Sequence, residues 1–292
     1  MDQPGIEIRG LEKRFDKFHL GPLHMSVPRG AIYGFIGPNG AGKTTTLDLI
    51  MSMGREDAGT IHVLGLDHRK DEVAMKRQVG YVSPYTDFSS WGKLHRIVRF
   101  FRGFYPDWDD AYCEHLLNAL ELGADKRIRT LSFGEKTRLA LVLALAHRPA
   151  VLLLDEPFLG LDAVSKRLIF SELLGAAQDQ DRTVIISAHG LDDIERLTDH
   201  IGIIHRGRML LEGPTPEVVE QHRMIEVAPR NGMHVVGIDG IRLRERSDDR
   251  LRLLVNLKQC PLEKLRAEAE VLSDVPVTLE DLFVALVTEP GQ

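Results

Sequence analysis

Cysteine is almost missing from this 292-residue chain: Cys113 and Cys260 are its only two. They lie far apart and neither belongs to a CxxC pair. That excludes a disulfide framework and a thiolate metal knuckle, and it points to two buried thiols in a reducing compartment. Long apolar runs are missing too. Leu139–Ala146 is among the longest and stops at His147-Arg148-Pro149, well short of the roughly 20 residues that span a bilayer. The opening residues, Met1-Asp2-Gln3-Pro4-Gly5, carry neither the basic nor the apolar segment of a secretion signal. The expectation is a cytoplasmic protein whose membrane role, if any, comes through a partner. There is no basic tail, acidic block, internal repeat or low-complexity tract. A net charge of −6 argues against a nucleic-acid binder, whose phosphate contacts need a basic face, though it leaves room for a local basic groove; no nucleic acid is expected.

What the chain does have is Gly37-Pro38-Asn39-Gly40-Ala41-Gly42-Lys43-Thr44-Thr45. This fits the phosphate-binding spacing G-x-x-x-x-G-K-[ST]. A short apolar strand, 31–36, runs into it and an apolar helix, 46–51, leaves it. Glycines let successive backbone N–H groups turn inward on a phosphate, and the helix adds its positive end. Lys43 is expected on the β- and γ-phosphates and the Thr44 hydroxyl on Mg²⁺.

A second element is Leu152-Leu153-Leu154-Asp155-Glu156-Pro157. Three apolar residues form a strand buried on both faces, and two acids stand at its end. In a nucleotide hydrolase this is where a metal-holding carboxylate sits, here Asp155, with Glu156 next to it as general base for water. Further strands are expected at 183–187 and 201–204, separated by helices at 163–177 and 191–198. The fold class is therefore α/β: a P-loop core with a parallel sheet, an antiparallel β portion at the N-terminus, an inserted helical subdomain over about 85–145, and a small C-terminal α+β module. Residues 1–221 form the nucleotide-binding domain and 222–292 the accessory module. In the early β portion, strands are expected at 6–10 and 23–27, with Phe15 and Phe18 in a charged loop between them. Sites on such sheets gather at the carboxyl ends of the strands, so the phosphate loop, Asp155 and His189 should converge.

Ten of the eighteen aromatics (11 Phe, 5 Tyr, 2 Trp) fall between Tyr81 and Tyr112. Phe100, Phe101, Phe104, Tyr105 and Trp108 are read chiefly as the core of the helical subdomain, with a few lining an exposed socket for a partner helix. Thr130-Leu131-Ser132-Phe133-Gly134-Glu135-Lys136 opens an amphipathic helix. Ser132 and Glu135 have the spacing of a capping box, which is a sufficient structural reason for both.

Leu131-Ser132-Phe133-Gly134 just before Asp155-Glu156 also resembles the signature motif of ATP-binding cassette (ABC) proteins. With the phosphate loop and His189, the motif order resembles an ABC ATPase subunit of a bacterial exporter of the antibiotic-resistance type, whose permease is a separate chain. The resemblance covers about Gly10 to Glu220 and resumes at Val277–Phe283. It implies an adenine-stacking role for Phe15, a contact of the switch residue His189 with the γ-phosphate, and a dimer-crossing loop at Gly160-Leu161-Asp162. It implies too that Ser132, Phe133, Gly134, Glu135 and Asp162 address the ATP held by a second subunit, in a homodimer or a heterodimer. ATP and Mg²⁺ are the implied ligands and a membrane permease the implied partner, on the cytoplasmic face of the membrane. Two positions depart from the pattern. Pro84 stands where the family usually has a Gln that contacts Mg²⁺ and the permease, leaving Ser83 or a water to complete the metal shell. Glu135 stands where Gln is common. Two other readings are a non-transport ABC ATPase and an unrelated P-loop kinase. The first usually brings two cassettes or a long coiled-coil insertion, and the second lacks the signature and His189.

Overall fold

Alternating apolar residues build the first layer. The computed structural model describes residues 3–180, 182–191, 194–195, 197–229, 238–247 and 250–288, and they divide into two compact units, Met1–Leu211 and Glu212–Gln292. The sequence reading placed its boundary after Gln221. Helix 215–220 lies instead in the second unit, fastened to the next strand by the His222 ring, whose Nδ1 is 2.7 Å from the Val218 carbonyl.

In the first unit, strands β1 (Ile6–Phe15) and β2 (Phe18–Val27) form an antiparallel hairpin paired from Ile6↔Val27 to Phe15↔Phe18. Ile6, Ile8 and Leu11 face Leu20, Leu23, Met25 and Val27 in the core. The expected loop around Phe15 and Phe18 is thus strand, joined by the two-residue turn Asp16-Lys17. Gly10 takes a left-handed φ of +60° next to a register shift between Ile8 and Leu11, and such a bulge lets a strand bend and continue where its alternation breaks. After β3 (Ile32–Ile36) and α1 (Lys43–Ile50), β4 (Ala58–Val63) and β5 (Leu66–Asp67) complete this sheet in the order β2-β1-β4-β5.

The second sheet carries the site. It is formed by β3, β6 (Val79–Val82), β7 (Val151–Asp155), β8 (Thr183–Ala188), β9 (His200–His205) and β10 (Arg208–Pro214) in the order β10-β9-β3-β8-β7-β6. The pairs β3/β8, β3/β9, β7/β8 and β6/β7 are parallel. Every residue of β3, β7 and β8 is buried, which is why these strands read as apolar runs rather than alternations. Their carboxyl ends lie side by side, with Asp155 beside Ser187 and Phe35 on the other side of Ser187.

Between β6 and β7 the chain is helical: α2 (Glu72–Arg77) precedes β6, and α3 (Leu94–Arg102), α4 (Asp110–Ala119) and α5 (Phe133–Leu145) follow it. Asp109 caps α4 by accepting from the Tyr112 amide at 2.8 Å. The aromatic expectation needs correction. The buried residues here are Leu94, Ile97, Tyr112, Cys113 and Leu116, whereas Phe100 and Phe104 are exposed and Phe101, Tyr105 and Trp108 half-buried. Leucine and isoleucine fill the narrow seam, and the larger rings pack against one another outside it, Trp91 tilted on Phe100 at 4.2 Å and Phe104 edge-on to Phe100 at 4.7 Å. Helix α6 (Ala163–Gln180) runs three residues past the expected 177. The expected helix 191–198 includes residues outside the described set; among the described ones, Glu195 and Thr198 bond back to Leu191 and Ile194.

The second unit contains α7 (Thr215–Glu220), β11 (His222–Pro229), β12 (Ile241–Arg246), β13 (Leu251–Asn256), α8 (Leu262–Glu268), β14 (Ala269–Pro276) and α9 (Leu279–Val287). Its antiparallel sheet has the order β12-β13-β11-β14. Ile225, Val227, Leu253, Val255 and Leu265 form its core. The hairpin of β12 and β13 pairs Ile241↔Val255 through Arg246↔Leu251; its expected turn at Asp248 and Asp249 lies outside the described residues. Both cysteines are free and buried.

Candidate active site

Gly37 to Lys43 has to turn from a buried strand into a helix within seven residues. A Cβ on Gly37 would sit 2.3 Å from the Ile204 carbonyl oxygen, so the tight exit from β3 requires glycine. Gly42 takes φ +112° as the N-cap of α1, a conformation that glycine adopts without strain. No side chain caps α1 and its first turn carries no acid. Its leading amides and positive end are left for an anion.

Lys43 is buried, and its ammonium donates to the Gly37 carbonyl at 2.6 Å and lies 3.6 Å from Glu156 Oε1. Burial lowers the pKa of this ammonium, and the charges of Glu156 and Asp155 act against the shift. Thr44 Oγ1 donates to Asp155 Oδ2 at 2.7 Å. The hydroxyl and the carboxylate are both hard oxygen donors, which suits Mg²⁺, an ion that completes its shell with waters and substrate phosphates. No group of three or more His, Cys, Asp or Glu side chains fit to hold a metal occurs among the described residues.

Glu156 is mostly buried. His189 Nδ1 lies 2.8 Å from its Oε2, and Lys43 faces its other oxygen. Its backbone has a left-handed φ of +48°, unusual for a residue with a long side chain. The turn is held by its amide, which donates to Ser187 at both the carbonyl oxygen (3.2 Å) and the hydroxyl (3.1 Å). Lys43, Thr44, Asp155, Glu156 and His189 are therefore brought together at one sheet edge. With Asn39, Gly40, Ala41, Gly42, Thr45, Lys17, Phe18, Pro84, Tyr85 and Leu159 they line a cleft of about 890 Å³.

Other expected residues fall outside that wall. Phe15 ends β1, is half exposed, and stands 6.3 Å from Phe18. Phe18 itself lines the cleft and was not among the expected residues; in the sequence nothing separates it from an ordinary strand residue. Ser132 and Phe133 are exposed, and no residue from 132 to 135 lines the cleft of its own chain. The capping box is present: Ser132 Oγ accepts from the Glu135 amide at 3.2 Å, and Glu135 Oε2 accepts from the Ser132 amide at 2.8 Å. The Glu135 carboxylate is paired with Lys126 at 2.8 Å, which lowers its pKa to about 2. Sequence reasoning missed this pairing, since the partners are nine positions apart across a turn. The Ser132 hydroxyl also contributes to holding the Glu135 carboxylate ionised. Gly134 packs on the loop before α6, where a Cβ would meet the Gly160 carbonyl at 2.5 Å. Asp162 caps α6, accepting from the amides of Val164 and Ser165 at 3.0 and 2.8 Å.

At the departure from the family pattern, Pro84 lines the cleft without a side-chain donor. Gln78 cannot replace the missing amide. It precedes β6, and its carbonyl accepts from the Val151 amide.

The comparisons with known proteins follow the same lines. The family model described as ABC transporter matches residues 20–159. The ABC transporter ATP-binding protein YtrB of Bacillus subtilis is 30% identical over 286 residues, covering 96% of this chain and 97% of that protein. The Nod factor export ATP-binding protein I of Burkholderia lata is 35% identical over 249 residues, with 82% and 79% covered. Among solved structures, an ATP-binding subunit of an ABC transporter superposes with a TM-score of 0.68 at 25% identity, over 74% of this chain and 92% of that one. A dimeric ATP-binding cassette in a post-hydrolysis state with ADP and phosphate has a TM-score of 0.64 at 19% identity, over 72% and 98%; that likeness shows the fold.

Proposed function

The chain belongs to the ABC transporter family of ATP-binding proteins, and from that premise we propose that it is the ATP-hydrolysing subunit of an exporter whose permease is a separate chain. The observation that carries the chemistry is the Glu156–His189 contact of 2.8 Å, beside Lys43 and the Thr44–Asp155 pair. In this reading the loop amides and Lys43 hold the β- and γ-phosphates. Glu156 accepts a proton from the attacking water, and His189 orients Glu156 while facing the terminal phosphate. Thr44 and Asp155 would hold Mg²⁺, which when bound offsets the charge of the phosphates.

The signature residues lie outside the cleft of their own chain, with Ser132 and Phe133 exposed. The reading therefore takes a second copy, or a related subunit, to supply Ser132, Gly134 and Asp162 to the nucleotide. ATP then favours the closed pair because it binds that state better than the open one, and loss of the γ-phosphate reopens it. Export is the direction because the Nod factor proteins that resemble this chain are named for it.

The permease would dock on the exposed rings at the end of α3 and just after it. Phe100 and Phe104, with Val73, Lys76 and Arg77 of α2, line a groove of about 370 Å³. Its apolar floor and cationic rim fit a cytoplasmic permease segment with an apolar tip and acidic flanks. No helix among the described residues is long and apolar enough to cross a membrane, so attachment to the cytoplasmic face would come through that contact. Residues 1–211 would form the cassette and 212–292 an accessory module.

The test is sedimentation of Glu156→Gln in excess ATP. A stable dimer that does not turn over is expected. A monomer that binds ATP normally would refute the sandwich.

A further inference from the structure

Strand β8 buries all six of its residues, Thr183 to Ala188, and one of them is a hydroxyl fully out of water between two acids. Ser187 is 0% exposed. Burying a hydroxyl without partners costs free energy, so its bonds account for its presence. Its Oγ donates to Asp155 Oδ1 at 2.5 Å and accepts from the Glu156 amide at 3.1 Å. Its neighbour on the other side in the sheet is Phe35, which offers no side-chain partner, so the hydroxyl turns wholly to the acids.

We propose that Ser187 is a positioning residue for both acids of the site, fixing the carboxylate of Asp155 and the backbone of Glu156 through one hydroxyl. This rests on the reading that Asp155 and Glu156 serve ATP hydrolysis. By holding Oδ1, Ser187 leaves Oδ2 turned to Thr44, where the two oxygens can share a cation. By accepting from the Glu156 amide, it helps hold the left-handed turn that brings Glu156 back between Lys43 and His189. Ser187 stands two residues before His189, so one strand end sets the positions of the base, the metal carboxylate and the histidine together. Groups that orient a metal ligand or a catalytic acid without touching substrate act in this way.

Replacing Ser187 by Ala removes the hydroxyl and leaves the weaker carbonyl contact to the Glu156 amide. For Ser187→Ala in the full chain, kcat for ATP is expected to fall about 10- to 100-fold, with KM within about twofold, because the phosphate loop is untouched. The second readout is binding: Mn²⁺ titrated into the protein with a non-hydrolysable ATP analogue and followed by electron paramagnetic resonance, where affinity is expected to weaken about tenfold. Ser187→Thr, which keeps the hydroxyl, should recover most of both. If the alanine variant does not fold by circular dichroism, Ser187→Cys, which keeps the volume but has only a weak donor, takes its place with the same expectation. Wild-type kcat and Mn²⁺ affinity in a folded Ala or Cys variant would overturn the proposal, as would a Thr variant as impaired as Ala. Glu156→Gln separates the two levels. If it leaves turnover intact, the reading of the whole site is wrong; if it abolishes turnover while Ser187→Ala does not, only the role of Ser187 is lost.

Discussion

His147 should make the helical part of the first unit acid-sensitive. It follows α5 and is 3% exposed, stacked 3.9 Å from Tyr105, with neither ring nitrogen in normal hydrogen-bonding geometry. Burial is the main reason that its pKa is pushed down to about 4 from the ordinary 6.5. The carbonyls of Leu143 and Val79 and the charge of Asp107 offset this in part, while Arg182 adds to it. The folded chain holds this imidazole neutral, and the unfolded chain takes up a proton below pH 6.5. Its stability contribution is thus intact above pH 6.5 and lost as the pH falls towards 4. The slope is about 1.4 kcal/mol per pH unit, giving a loss of about 2 kcal/mol at pH 5 and about 3 kcal/mol at pH 4. Urea unfolding followed by tryptophan fluorescence is the assay, because the chain's two tryptophans, Trp91 and Trp108, both lie in this region. His147→Phe keeps an aromatic ring against Tyr105 and removes the proton acceptor. Its midpoint should fall less than that of the wild type between pH 7 and 4.5. The carboxylates of Glu56, Asp67 and Glu135, held at about 2, titrate below this window. Equal slopes for the two proteins would refute the reasoning.

Two further outcomes concern the surfaces. Lys126→Ala leaves the Glu135 charge uncompensated; an exposed ion pair contributes roughly 0.2–1 kcal/mol, so ATP-driven dimerisation of Glu156→Gln should weaken by up to about fivefold and recover when Glu135→Gln is added. Sedimentation in an ATP series measures both, and no change in Lys126→Ala would mean that Glu135 lies away from the partner's nucleotide. Phe104→Ser, at a ring that is 60% exposed, should leave the melting temperature within about 1 °C, since surface changes rarely exceed ~0.5 kcal/mol. It should reduce recovery of the chain with its permease in pull-downs; undiminished recovery would move docking elsewhere.

The phosphate loop, the apolar strands β3, β7 and β8, and the capping box at Ser132 were legible because each is a local pattern with a local cause. Glycines at fixed spacing, strands buried on both faces, and a Ser three residues before a Glu need no distant partner to be recognised. What escaped was set by neighbours far along the chain. The strand through Phe15 was hidden by the bulge near Gly10, which breaks alternation exactly where sheet pairing with β2 carries it on. Ser187 looked like any small strand residue until β7 placed Asp155 beside it. The Lys126–Glu135 pair depends on the turn before α5. The aromatic cluster was misjudged for a related reason: composition shows that rings are abundant, but which of them fit a seam is decided by the helices that face it.

The left-handed backbone at Glu156 also limits how this position can drift. Residues branched at Cβ are strained at φ +48°, whereas Gly, Asn and Asp settle there at little cost. Exchange at this position is thereby channelled into a few short or absent side chains that spare the scaffold, of which Asp alone keeps a carboxylate.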